Sequence, residues 1–317
     1  MSRKNKIKLL KISSELGAGT RGSSKGFEGL KTAAAIKESN IFDEFEVVSI
    51  KDENESLLKN INFPNAKRIK QIHEVLLRVH NEVKKQLKQN KLPILISGDH
   101  SIAAGTIAGI KSAYPSKIIG VVWIDAHADI HTPYTTPSGN MHGMPIAASL
   151  GIDQKLTNQN TPHPHVQKLW KNIKNLGDKS PKIKPENIAY VGVRETEWQE
   201  DEVIRELNIQ NYSVDFVRKH GGDTTSISIL NQLIHCDYIY ISFDVDVLDT
   251  SLSRGTGTPV PNGLFLREVI NLIKGLAKSH KLCCFEIVEI NPVIDNKGNL
   301  MAEMGLEVLE SLINEVC

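Results

Sequence analysis

Two runs, Asp125-Ala-His127-Ala-Asp129 and Asp244-Val-Asp246, put carboxylates and an imidazole at every second position. Each directly follows an apolar, β-like stretch, Ile118–Ile124 in one case and Tyr238–Phe243 in the other. Residues two apart in extended backbone project from one face, so Asp125, His127 and Asp129 are expected to converge, and Asp244 with Asp246. Buried carboxylates are costly unless a cation pairs with them. Divalent metal is the simplest partner, and this many ligands suits two ions better than one. A third apolar run, Leu92–Ser97, ends in Gly-Asp-His100-Ser and brings a further imidazole. Open parallel sheets bind their ligands in this position, beyond the carboxyl ends of the strands.

The elements that must carry these tips alternate along the chain. Apolar runs predict strands at Ile7–Ile12, Phe45–Ile50, Leu92–Ser97, Ile118–Ile124, Ile188–Val193, Tyr238–Phe243 and Leu282–Val288. Helical patterning marks Phe27–Glu38, Lys67–Gln89, Ser101–Ala113, His142–Leu150, Glu200–Leu207, Ser226–Ile234, Leu266–Ser279 and Leu300–Val316. Strand–helix alternation of this kind indicates an α/β fold: a three-layer α/β/α arrangement on a mostly parallel sheet. No linker rich in Pro, Gly and Ser divides the chain, so residues 1–317 are read as one domain. The polar segment Asp153–Pro185 reads as a surface excursion with a helix near Val166–Asn175, and His163 and His165 as solvated loop residues.

Across 317 residues, Lys and Arg total 38 against 37 for Asp and Glu, which gives no electrostatic reason to expect nucleic acid or a membrane surface. No apolar run reaches transmembrane length, and Met1–Lys6 is basic without an apolar signal core, so a cytoplasmic location is expected. Cys283 and Cys284 sit inside an apolar run and read as buried thiols; Cys236 and Cys317 complete the set. Gly17-Ala-Gly19-Thr-Arg-Gly22 fits a dinucleotide-binding pattern. However, the acidic residue ending the next strand, Asp52, is too distant for that pattern, so a plain strand-to-helix loop is the expected reading.

Ser97-Gly-Asp-His100-Ser, Trp123-Ile-Asp125-Ala-His127-Ala-Asp129 and Ser242-Phe-Asp244-Val-Asp246 occur in this order, and the chain from Gly17 to Glu289 resembles the ureohydrolase superfamily. That group comprises arginase, agmatinase and formimidoylglutamase, so the resemblance implies an arginase-like fold. It also implies two Mn²⁺ per subunit. One would be held by His100, Asp125, Asp129 and Asp244, the other by His127, Asp125, Asp244 and Asp246. Carboxylates with imidazole suit Mn²⁺, and no thiolate is on offer. Four carboxylates, two divalent cations and a bridging hydroxide sum to about −1, which favours a guanidinium substrate. The implied reaction is attack of the metal-bridging hydroxide on L-arginine, giving L-ornithine and urea.

By the same resemblance, Thr136, Ser138 and Asn140 grip the substrate α-carboxylate, and His142 shuttles a proton to the leaving amine. Glu289 pairs with the guanidinium, Thr258 lines the site, and Asp129 is both ligand and catalytic residue. The chain departs from the arginase pattern at His131, where asparagine is usual, and at Glu195 and Glu197, where aspartates are usual. Histidine could still donate to the carboxylate; Glu197, with Glu200, would meet the α-amino group. Formimidoylglutamase or another guanidino-acid or agmatine hydrolase is the alternative within the family, and a metal-binding protein without activity is the alternative outside it. Family members are commonly trimers or hexamers, so a homo-oligomer is expected.

Overall fold

A computed structural model describes residues 6–154, 157–177 and 180–316. Met1–Asn5, Cys317 and four residues of the 153–185 excursion lie outside the described residues. Eight strands form one sheet: β1 (Ile7–Ile12), β2 (Val47–Ile50), β3 (Leu92–Ser97), β4 (Ile119–Ile124), β5 (Ile188–Val191), β6 (Gln210–Tyr212), β7 (Tyr238–Asp244) and β8 (Leu282–Val288). Every pairing is parallel, in the order β2-β1-β3-β8-β7-β4-β5-β6.

Alternate strand residues feed two separate cores. Ile7, Leu9, Val122 and Ile124 pack on one face, beneath α1 (Gly26–Ile36) and α2 (Ile41–Glu44). Leu10, Ile12, Val121 and Trp123 pack on the other, beneath α3 (Ile69–Lys88), α4 (Ala103–Ala113), α5 (Pro145–Leu150), α6 (Pro164–Lys174) and α7 (Trp198–Glu206). The first face is completed by α8 (Val214–His220), α9 (Gly222–Gln232), α10 (Leu266–Ala277) and α11 (Leu300–Val316). Helices on both faces explain why the inner strands read as nearly unbroken apolar runs. The helices bury stripes rather than whole surfaces: α3 buries Ile69, Ile72, Val75, Leu76, Val79 and Val83, while Lys70, Lys84 and Lys88 face solvent. Among the described residues no helix is long and apolar enough to cross a membrane.

The chain crosses from β3 to β4 and later inserts β7 and β8 between them. Four strand ends thereby become neighbours at the centre of the sheet, and all four carry residues singled out by the sequence. Three elements escape sequence patterning. β6 offers only Gln210, Asn211 and Tyr212, with no apolar run to announce an edge strand. α2 has four residues and α8 seven, too few for a helical period to register. The helix expected from His142 begins instead at Pro145, and His142 lies in a 3₁₀ turn, Met141–Gly143, ahead of it.

At the tip of β3, Gly98 touches the strand end of β1: a Cβ there would meet the Ser14 carbonyl oxygen at 2.2 Å. The Gly98 carbonyl also accepts from Glu289 N at 3.2 Å. Gly98→Ala is therefore expected to force backbone movement and destabilise by about 1–3 kcal/mol. Thermal unfolding of the metal-free protein checks this; an unchanged midpoint would contradict the packing.

Candidate functional site

Convergence of the acidic runs comes from turns rather than strand alternation, which corrects the sequence reading. β4 ends at Ile124 and β7 at Asp244, and Val245–Val247 form a 3₁₀ turn. Asp125 Oδ1 accepts from His127 N at 2.7 Å, and Asp244 Oδ1 from Asp246 N at 2.8 Å. Each aspartate thus folds the chain back over its own side chain. Asp129 completes the first turn with φ +49°, a left-handed conformation that aspartate tolerates better than most residues.

The turns leave two clusters. In one, His100 Nδ1 lies 3.0 Å from Asp125 Oδ2, 3.1 Å from Asp129 Oδ2 and 3.2 Å from Asp244 Oδ2. In the other, His127 Nδ1 lies 2.9 Å from Asp246 Oδ2 and 3.5 Å from Asp125 Oδ1. Asp125 belongs to both. His100 is fixed from behind: its Nε2 sits 2.7 Å from Ser242 Oγ, and its ring stacks on Trp123 at 3.9 Å with a 4° tilt. Asp125, Asp129, Asp244 and Asp246 are all buried. His100 Nδ1 and Asp125 Oδ2 nonetheless have no hydrogen-bond partner among protein atoms. Buried acceptors left aimed at one another are what a cation site requires.

The titration behaviour follows. Burial pushes the Asp244 carboxyl well above its usual range, and Asp246 and Asp125 add to the effect. Burial, then Asp125, raises Asp129 to about 6. Burial alone would push Asp125 up, but the His100 and His127 imidazoles beside it pull it far below the usual range. Burial disfavours both imidazolium ions, yet the surrounding carboxylates hold His100 and His127 well above their usual values. Without metal, protons occupy the positions a cation would take.

A cavity of about 350 Å³ opens over these clusters and is also lined by His131, Thr136, Ser138, Asn140, His142, Glu197, Glu200 and Thr258. His142 Nδ1 is 3.0 Å from Glu289 Oε1, and Thr258 Oγ1 donates to Asp246 Oδ2 at 3.1 Å. Glu289, with φ +64° just past β8, also accepts from His100 N at 3.0 Å, while its buried Oε2 has no partner. His131 places Nδ1 3.1 Å from Thr135 Oγ1 and Nε2 2.9 Å from Glu197 Oε2. Both ring nitrogens are thus engaged by the protein, leaving none for a carboxylate. Glu200 is buried against Glu197, and burial, then Glu197, holds its carboxyl well above the usual range.

The sequence profile of the arginase family matches residues 5–314. Arginase of Bacillus subtilis is 31% identical over 312 residues, spanning 98% of this chain and 98% of that protein. Arginase of Saccharomyces cerevisiae is 37% identical over 232 residues, spanning 72% of this chain and 65% of that protein.

The chain belongs to the arginase family.

Solved arginases share the fold across almost the full length. That of Bacillus caldovelox superposes with TM-score 0.82 at 32% identity, covering 97% of each chain. That of Entamoeba histolytica, solved with L-ornithine, superposes with TM-score 0.83 at 28% identity, covering 98% of this chain and 99% of that one. Arginase-family membership implies a hydrolase acting on guanidino groups, and the buried His/Asp clusters are groups that could hold its metal ions.

Several supporting residues escaped the sequence reading. Ser242 stands two residues before Asp244 on β7, so strand alternation could have found it. Glu286, a lone carboxyl in the apolar β8, is held by Ser97 Oγ at 2.5 Å and Tyr240 Oη at 2.6 Å. Arg194 donates to the carbonyls of Gly192, Asp246, Val260 and Pro261, tying the β7 turn to the Thr258 loop. No sequence signal announces that role. The glycine loop supplies close packing: a Cβ on Gly17 would meet Asp99 Oδ1 at 2.5 Å, and one on Gly19 would meet Asn140 Nδ2 at 2.6 Å. Cys236, Cys283 and Cys284 are buried and free.

Metal must displace the protons held by His100 and His127. Affinity is therefore expected to rise with pH across the neutral range, by about tenfold per unit for each proton expelled. Chelator competition at pH 6 and pH 8, with proton release followed by calorimetry in buffers of different ionisation heat, checks this. Binding with no proton release would contradict it.

Proposed function

We propose that this chain is a binuclear manganese hydrolase that converts L-arginine and water to L-ornithine and urea. The observation that carries the reading is the buried pair of His/Asp clusters with its unpartnered His100 Nδ1 and Asp125 Oδ2. Nitrogen and oxygen donors without thiolate suit Mn²⁺. His100, Asp125, Asp129 and Asp244 would hold one ion, and His127, Asp125, Asp244 and Asp246 the other. When bound, the ions would lower the pKa of water and so supply a nucleophile near neutral pH.

The chain's own groups divide the remaining work. Glu289 Oε2, buried and without a partner, is free to accept from a guanidinium N–H, and Glu289 Oε1 orients His142. Burial lowers the His142 pKa, but Glu289 more than compensates and raises it to about 9. His142 therefore carries a proton at neutral pH and can deliver it to the leaving amine. Asp129, beside His100, takes the proton from the attacking water. Thr258 fixes the Asp246 carboxylate.

At the other end of the cavity, Thr136 Oγ1 accepts from Gly139 N at 2.9 Å and Ser138 Oγ from Asn140 N at 3.2 Å. With their acceptor roles taken by backbone, both hydroxyl protons are free for a carboxylate. Asn140 Oδ1 accepts from Lys67 Nζ at 3.0 Å, which leaves its amide N–H groups as donors. This set favours an amino-acid substrate over agmatine, which lacks the carboxylate. Glu197 and Glu200 remain as partners for the α-amino group.

The deciding assay offers Mn²⁺-loaded protein arginine, agmatine and formimidoylglutamate and measures urea and formamide. Urea from arginine is expected, and formamide from formimidoylglutamate without urea from arginine would replace the reading with its alternative. Ser138→Ala is expected to raise KM for arginine by about tenfold, the weight of one hydrogen bond to a charged group, with kcat little changed. An equal effect on any residual agmatine hydrolysis would remove Ser138 from carboxylate recognition.

A further inference from the structure

One cation stands behind the far end of the cavity without lining it. Lys67, two residues before α3, donates from Nζ to Asn140 Oδ1 at 3.0 Å and from its backbone N to the Gly139 carbonyl at 2.9 Å. It thus clasps two consecutive residues of the 136–140 loop, one by side chain and one by main chain. The contact is close: Gly139 has φ +73°, and a Cβ there would meet the Pro64 carbonyl oxygen at 1.6 Å. On the α3 side, Arg68 holds a left-handed φ of +55°, a conformation an arginine keeps only where its surroundings impose it. Lys67 makes no other side-chain bond, and no carboxylate pairs with it among the described residues. Its neighbourhood does not cancel it either. The charge acting on Arg68 is the Arg21 guanidinium, and the first turn of α3 holds no acidic side chain. The positive end of that helix's dipole adds to the same sign. Glu15 lies 4.0 Å from Arg21, which leaves Lys67 and Arg68 unbalanced.

We propose that Lys67 is a specificity-determining residue that selects, through Asn140, a substrate with a carboxylate at one end; this rests on the amino-acid reading given above. A bond from a cation to Oδ1 draws electron density from the amide and strengthens the N–H groups on its other side as donors. The same charge attracts the carboxylate directly, and half-burial of Lys67 and Asn140 limits how far water screens it. Such a charge is needed. Glu195, Glu197 and Glu200 line the cavity and disfavour an anion, so neutral hydroxyl donors act against them. His131 offers no help, because Thr135 and Glu197 engage its two ring nitrogens. With Lys67 in place the two ends of the cavity differ in sign. Carboxylates around the clusters meet a cationic group, and Lys67 stands behind the donors that meet an anionic one. Removing its charge therefore weakens the hold on the anionic end and leaves the clusters as they are.

The test separates carboxylate selection from turnover. L-Ornithine and 1,4-diaminobutane, which is ornithine without its carboxylate, are titrated calorimetrically into Mn²⁺-loaded wild type, Lys67→Met and Lys67→Arg. Lys67→Met keeps the stem and removes the charge; Lys67→Arg keeps the charge. Wild type is expected to prefer ornithine, Lys67→Met to lose about tenfold of that preference, and Lys67→Arg to keep it. Binding of 1,4-diaminobutane is expected to be no weaker in either variant, which shows that both are folded. The KM for arginine is expected to rise about tenfold in Lys67→Met with kcat little changed. An unchanged preference in Lys67→Met overturns the proposal, and so does an equal loss in Lys67→Arg. Weaker 1,4-diaminobutane binding in step with ornithine overturns it too, because Lys67 would then only hold the loop. Wild type without any preference for ornithine instead overturns the amino-acid reading, and the role of Lys67 falls with it.

Discussion

Everything in this molecule is arranged around the attraction between buried carboxylates and a positive charge the side chains do not fully provide. Asp125, Asp129, Asp244 and Asp246 are shielded from water and face one another across two imidazoles. Burial first and their mutual repulsion second raise Asp244 and Asp129, while Asp125, within reach of both histidines, falls. Apolar groups in their place would remove that repulsion together with the acceptors that a cation needs. Retaining it demands a scaffold stiff enough to hold the carboxylates together.

The parallel sheet is that scaffold. Placing β8 and β7 between β3 and β4 brings four strand ends side by side, so His100, Glu289, Asp244 and Asp125 start from neighbouring positions. Turns closed by the aspartates' own carboxyl oxygens then set each side chain. Behind them, Trp123 and Ser242 fix the His100 ring, and Arg194 ties the β7 turn to the Thr258 loop. The glycine loop after β1 closes over the same region, where Gly17 O accepts from His142 N at 3.2 Å. A dinucleotide-like pattern thus serves to pack against the residues that flank the cavity.

Much of this was legible in the sequence because it rests on short-range patterns. Apolar runs mark seven of the eight strands, and those of β3, β4 and β7 end in the Asp and His that mark the tips at the centre of the sheet. β6 does not, because an edge strand of three residues has no buried face long enough to show. Ligand types were legible, but their geometry was not: alternation suggested one face of a strand, whereas Asx turns and a left-handed Asp129 do the work. Long-range partners were the least legible. Nothing in the sequence around His131 indicates that Glu197, 66 residues away, engages one of its ring nitrogens while Thr135 engages the other.

The central claim is that Asp125 and Asp244 are shared by two cations, not that the chain merely binds metal. Electron paramagnetic resonance of protein loaded with two Mn²⁺ per subunit tests it most directly. Shared carboxylates predict an exchange-coupled spectrum, lost when Asp125→Asn removes one shared group. An uncoupled six-line Mn²⁺ signal at full loading of the wild type would contradict the account.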